Sequence, residues 1–201
     1  MLFRSELAKI TNTFSQNTLD ATNLFEYVTT NEADLSGLPE SAREMGKASA
    51  ASKGLTGWRF TLQGPSFLAV MTYADNREMR EAFYRAFNAR GTKEPYDNVS
   101  LLYRILELRE EKAKLLGFRD FSDLVLADRM AKNGETASQF VDGLKGRIST
   151  HFAREQAELK SFVHEKLGVE PSNLKPWDVA YYVEKMRKSL YDFDEEDRKS
   201  T

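Results

Sequence analysis

A hydrolytic metal needs several donors converging on one ion, and the chain carries two histidines, His151 and His164, with no cysteine. His164-Glu165 starts like HExxH, where two histidines one helical turn apart chelate zinc and the glutamate activates its water. The second histidine position holds Gly168, so the motif fails. A histidine near the end of a long helix is expected to face solvent and favour the negative end of the helix dipole. His151 has Glu155 one turn on, a common surface pairing. The sequence therefore assigns no catalytic residue and no metal ligand to the chain.

Other chemistries fare no better. A nucleophilic Ser or Thr needs a histidine base and a context such as G-x-S-x-G, which neither histidine has. GLTGW and GRIST have neither the lysine and spacing of a phosphate loop nor the glycine pattern of a dinucleotide turn. Glu110-Glu111 and Glu195-Glu196 are adjacent, so on a helix they point in different directions and read as solvated faces.

The densest aromatic cluster is Trp177, Tyr181 and Tyr182, with Asp178 among them. On a helix Trp177 lies over Tyr181 and Asp178 over Tyr182. Two readings follow from that placement. The ridges orient phenol and carboxylate groups along a cleft, or Trp177 and Asp178 anchor the helix start while the tyrosines pack between helices.

The elements that would position these residues are mostly helical. Leu7, Ile10, Phe14, Leu24, Phe25 and Val28 share a face and predict a first helix from Leu2 to about Val28, with Asn17 a candidate interruption. Pro39 and Gly54 bound a second helix. Trp58, Phe60 and Leu62 alternate up to Gly64-Pro65 and predict a strand, the single β element expected. Ser66 to Ala74 reads as helix, and Asp75 with Glu78 as the capping box of the next, which carries Met79, Phe83 and Phe87 to Gly91.

Beyond the turn-rich GTKEPYDN, a helix from about Val99 holds Leu102, Ile105, Leu108 and Leu116 and stops at Gly117. Asp120 caps another, with Leu124, Val125, Leu126 and Met130, ending near Gly134. Phe140, Leu144, Ile148 and Phe152, at four-residue steps after Thr136, predict a long packing helix that continues through Leu159, Phe162, Val163 and Leu167 to Gly168. A final helix enters at Pro176 with Val179, Val183, Met186 and Leu190 as its buried stripe. The tail at 195–201 is polar. Without a repeat of fixed period, this is one all-α domain or one lobe of a larger α-helical protein, with at most one short β element near 58–62.

Composition narrows the partners. With 29 Lys+Arg against 31 Asp+Glu, interspersed along the chain, there is no field to draw in a polyanion, and nucleic-acid binding is not expected. Neither a membrane span nor the apolar core of a signal peptide is visible, and the lack of cysteine fits a reducing compartment. The expected location is cytoplasmic.

Three ordered runs carry a wider resemblance: SFLAVMTYADNREMREAFYRAFNAR, ILELREEKAKLLGFRDFSDLVLADRMAKN and LKPWDVAYYVEKMRKSLYDF. In order and spacing the chain resembles the thimet oligopeptidase family of zinc metallopeptidases, nearest to its oligopeptidase A and bacterial dipeptidyl carboxypeptidase branches, from about Leu7 to Asp194. The resemblance implies a mainly helical, intracellular, two-lobed enzyme whose deep channel admits short peptides and holds one zinc, which the chain alone would not bind. It also implies that the family's HExxH helix and distant glutamate lie C-terminal to a PWDxxYY-type segment, so that residues 1–194 form one α-helical segment from the middle of the enzyme.

On that reading the segment forms channel wall, is inactive alone, and offers Trp177, Asp178, Tyr181 and Tyr182 as substrate-channel candidates. Apolar faces meant for missing helices would leave it prone to self-association. The alternative is a non-catalytic helical interaction or scaffold module derived from the same family.

Overall fold

The computed structural model describes residues 2–191, and the side chains of residues 5–191. The polar tail at 195–201, with Glu195-Glu196, lies outside the described residues. The described residues cluster into two compact units, one of residues 2–18 and 91–156, the other of residues 19–90 and 157–191.

In chain order the elements are α1 (Leu2–Leu24), β1 (Glu26–Thr29), a 3-10 turn at Glu32–Leu35, α2 (Glu40–Ala51), β2 (Trp58–Thr61), α3 (Gly64–Tyr73), α4 (Arg77–Asn88), α5 (Val99–Leu115), α6 (Phe121–Leu126), α7 (Gly134–Leu167), a 3-10 turn at Pro171–Asn173 and α8 (Pro176–Tyr191). The class is therefore all-α with a short β element. That element is half of an antiparallel pair in which Tyr27 faces Phe60 and Val28 faces Arg59. Its partner β1 replaces the last turn expected of the first helix. Aromatic and β-branched Tyr27, Val28 and Thr29 suit a pleated surface, and Tyr27 packs against the core beside Phe60. Upstream, α1 runs unbroken through Asn17.

The first unit is built from most of α1, α5, α6 and most of α7. Its buried polar anchor is Asn98, just before α5. The Asn98 amide donates to Phe14 O at 3.0 Å and Thr18 Oγ1 at 3.2 Å, and its carbonyl accepts from Asn17 Nδ2 at 2.9 Å. An amide left unsatisfied there would cost about 1–3 kcal/mol, so these bonds fix α5 against α1. Asp120 caps α6 as expected, accepting from Asp123 N at 2.9 Å. However, α6 stops at Leu126 and Met130 is fully exposed. Asn133 supplies the side-chain acceptor for Thr136 N at 2.8 Å at the start of α7, which begins at Gly134, three residues earlier than the periodicity places it. Phe140, Leu144, Ile148 and Phe152, expected to pack, remain 42–68% exposed.

The second unit contains the core: Leu35, Leu38, Phe60, Leu62, Val70, Met71, Ala74, Met79, Phe83 and Trp177. Here α2 lies against β2, and α3, α4 and α8 pack on one another. Phe83 is fully buried and receives Phe25 edge-on at 5.0 Å, while Phe67 stacks on Phe87 at 4.3 Å. Pro39 stands one residue before α2, and Gly54 beyond its end adopts φ +69°.

Candidate functional site

The residues singled out at 177–182 sit in the first two turns of α8, where that helix meets α3 and α4. Pro176 opens the helix without needing an amide partner. Asp178 then turns back on the chain, its Oδ2 accepting the Lys175 N–H at 3.0 Å. This is the reciprocal half of a capping box, and a carboxylate in the first turn also suits the helix dipole.

Asp178 is 1% exposed, so its charge must be met inside the protein. Two arginines of α4 meet it. Arg80 Nη2 donates to Oδ1 at 2.9 Å and Arg77 Nη2 to Oδ2 at 2.7 Å, with Arg77 Nε bridging both oxygens. Arg80 spends its other N–H groups on the carbonyls of Ala74, Asp75 and Trp177, at 2.6, 3.2 and 3.3 Å. Burial alone would push the Asp178 carboxyl up. The hydrogen bonds from Arg77, Arg80 and the Lys175 amide outweigh it and hold the group below the ordinary carboxylate range.

Tyr181, one turn on, lies with its ring 4.0 Å from the Arg80 guanidinium, and its hydroxyl donates to Asp75 Oδ1 at 2.7 Å. Asp75 also accepts from Ser36 Oγ at 2.7 Å and Lys185 Nζ at 3.1 Å. Burial raises the Asp75 carboxyl, but donation from Tyr181, Ser36 and Lys185 prevails and lowers it. Burial and the Asp75 acceptor push the Tyr181 phenol up. Lys185, which burial would depress, is raised by its bonds to Tyr181 and Asp75.

Asp75 is therefore not the cap of α4. Its carboxylate is occupied by Ser36, Tyr181 and Lys185, and the neighbouring Asn76 takes the cap instead, accepting from Met79 N at 3.0 Å.

The buried side of α8 also differs from the expected stripe. Val179, Val183 and Leu190 are exposed and Met186 is half-buried, while Trp177, Asp178 and Tyr181 face inward. A doubly paired carboxylate and two aromatic rings outweigh a row of aliphatic side chains, because Asp178 could not lie on the inner face without its arginines. Trp177 packs beside Tyr84 with ring centroids 5.9 Å apart, its indole Nε1 buried and without a hydrogen-bond partner. Tyr182 is half-buried, its ring edge-on to Tyr181 at 5.1 Å.

Sequence reasoning passed over Arg77, Arg80 and Lys185, and gave Asp75 only the role of a helix cap. Arg80 offered a signal, since it falls between Met79 and Phe83 on the apolar face of α4, and a charge there demands a partner.

The histidines do not join this site. His164 is exposed with Nδ1 3.7 Å from Glu170 Oε1, and exposed His151 has Nδ1 3.4 Å from the Arg154 guanidinium. Among the described residues no three His, Asp or Glu side chains converge as a metal-binding group. These donors do not fit a zinc ion.

Residues 70–201 match Peptidase family M3. Over 198 residues, 96% of this chain, it is 42% identical to oligopeptidase A of Haemophilus influenzae. It is 40% identical to oligopeptidase A of Escherichia coli and 28% identical to dipeptidyl carboxypeptidase of Escherichia coli, again over 96% of the chain. In each case the chain spans 28–29% of the relative's length. A match of this extent, running through α4 to α8 and the whole Arg77–Arg80–Asp178 cluster, places the chain in peptidase family M3.

Proposed function

We propose that the chain is part of a zinc-dependent oligopeptidase that hydrolyses short peptides in the cytoplasm, and that residues 1–194 form one segment of its channel wall. The observation that carries this reading is the 42% identity to an oligopeptidase A along 96% of the chain. One relative is named a probable cytosolic oligopeptidase A, from Arabidopsis thaliana. No described helix is long and apolar enough to cross a membrane.

Within the wall, Trp177, Asp178 and Tyr181 act from behind the surface, because each is buried, and Tyr182 is the member of the group with surface to offer a peptide. The pairing of Asp178 with Arg77 and Arg80 holds α8 on α4, and rigid support of this kind is what a substrate channel requires. Zinc and its ligands belong, on this proposal, to a part of the enzyme outside these residues. The exposed row Phe140, Leu144, Ile148 and Phe152 is then a face for other helices of the enzyme, and in isolation a route to self-association.

The test compares this 201-residue chain with the longer polypeptide from its own source. The chain alone is expected to lose zinc on dialysis and to leave short peptides intact, while the longer protein cleaves them in a chelator-sensitive way. Stoichiometric zinc with cleavage by the chain alone would place the centre inside it. A longer protein that binds peptides without cutting them would favour the scaffold alternative.

A further inference from the structure

Asn133-Gly134 is the one Asn-Gly pair in the sequence, and it stands in the first unit where the chain passes from α6 into α7. Asparagine is chemically labile to heat. A glycine after it leaves the next backbone nitrogen free to reach the side-chain carbonyl carbon, because no Cβ stands in the way. Packing demands that glycine. A Cβ on Gly134 would stand 3.0 Å from the Ser122 Cβ of α6, closer than carbon atoms comfortably approach. The meeting of α6 with α7 therefore keeps a residue that invites attack on its neighbour.

In the folded chain both reacting groups are engaged elsewhere. Asn133 caps α7, its Oδ1 accepting from Thr136 N at 2.8 Å and its backbone carbonyl from Ala137 N at 3.3 Å. The Gly134 N–H donates to Asp123 Oδ1 at 2.9 Å. Asp123 is fixed in turn, its N–H donating to Asp120 Oδ1 at 2.9 Å and its carboxylate meeting Arg119 at 3.2 Å. The Gly134 nitrogen must lose its proton to react, and a carboxylate held against it opposes the negative charge that would form. Asn133 cannot turn its side chain onto that nitrogen without giving up the cap.

We propose that Asn133-Gly134 is a latent deamidation site, closed in the folded first unit by Asp123 and the Thr136 amide and opened when the start of α7 frays from α6. In the open state the Gly134 nitrogen gives its proton to hydroxide and bonds to Asn133 Cγ, and the side-chain nitrogen takes up a proton and leaves as ammonia. Water then opens the succinimide at either carbonyl, giving aspartate or isoaspartate. The sum is one water consumed and one ammonia released, with no change of oxidation state. Aspartate at 133 still accepts the Thr136 N–H and suits the helix dipole. Isoaspartate adds a backbone methylene before Gly134 and displaces its amide from Asp123, so a transient opening leaves a permanent lesion at the α6–α7 junction.

The test incubates the whole chain at mildly alkaline pH, folded and in guanidinium chloride, beside a synthetic peptide of residues 129–138. Peptide mass spectrometry follows deamidation, and protein-isoaspartate methyltransferase labelling follows isoaspartate. The peptide and the unfolded chain are expected to deamidate at Asn133 at matching rates, and the folded chain at least ten-fold more slowly. Asp123→Ala is expected to speed the folded chain at least five-fold with hydrogen-exchange protection of α5 unchanged. Asp123→Asn, which keeps an oxygen to accept the Gly134 N–H, should show less than half of that gain. An unfolded chain that leaves Asn133 intact would overturn the site, and a folded chain as fast as the peptide would overturn its closure. No effect of Asp123→Ala, or equal gains in the two variants, would remove Asp123 from the role. Comparison of folded chain with peptide needs no variant, so it decides the closure even where Asp123→Ala fails to fold.

Discussion

Arg80 and Asp178 form an ion pair at 2.9 Å in which neither side chain exposes more than 2% of its surface. Arg77 completes the pair from its exposed end at 2.7 Å. Buried pairs of this kind contribute little net stability against apolar replacements, yet breaking one by removing a single partner is costly.

Asp178→Ala strands the Arg80 guanidinium in the core and is expected to destabilise the second unit by about 3–5 kcal/mol. Replacing both groups together, Arg80→Met with Asp178→Leu, is expected to cost less than the single Asp178→Ala change. Urea denaturation of the three proteins checks the order, and a double variant weaker than the single would refute it.

Acid should undo the same contact. The Asp178 and Asp75 carboxyls lie below their ordinary value when folded, so their stabilisation is present above an unfolded pKa of about 3.9 and fades as pH drops through the lower folded values. The urea midpoint is expected to fall below about pH 4, and Asp178→Asn should flatten that dependence. An unchanged acid limb in the variant would assign the loss to other groups.

Tyr181→Phe removes the hydroxyl that donates to Asp75 at 2.7 Å and is expected to cost about 1 kcal/mol, with the Asp75 carboxyl moving back up. The Tyr181 and Lys185 groups are raised on folding, so their contribution is intact below about pH 10 and is lost as pH climbs through their folded values. The variant should therefore lose part of the alkaline unfolding transition, which stability measurements between about pH 9 and 12 would show.

Two glycines separate strain from collision. Gly54 has φ +69° with open space around a Cβ, whereas Gly37 has φ +81° and Tyr73 O in the way at 2.2 Å. Gly54→Ala is expected to cost about 1–2 kcal/mol from backbone strain, and Gly37→Ala distinctly more, because a backbone oxygen cannot step aside. Equal thermal shifts for the two would contradict the close approach.

The row Phe140, Leu144, Ile148 and Phe152 is an apolar face on a long exposed helix. Phe140→Ser with Phe152→Ser should reduce binding of a hydrophobic dye and lower the sedimentation-derived mass at high concentration, with helicity retained. A monomeric parent chain with weak dye binding would show that the face does not self-associate.

Helices with regular spacing and clear caps were legible in the sequence. The row Met79, Phe83 and Phe87, the Asp120 cap and the stop at Gly117 appear where local chemistry puts them. Less legible were elements whose fate depends on a distant partner. Leu24, Phe25 and Val28 satisfy helical spacing, and Tyr27 to Thr29 become a strand because β2 presents a pairing edge. On α8 two faces compete for burial, and the aliphatic one loses.

By itself the sequence determined the helical class and the three ordered runs that mark a peptidase family. These follow from residue type and short spacing, which a linear chain displays in full. Only the tertiary structure decided that Asp178 meets Arg77 and Arg80 and that Asp75 serves Tyr181 rather than α4. Asp75 and Tyr181 are separated by 106 residues, and a hydrogen bond between groups so far apart along the chain exists only once packing has brought their helices together.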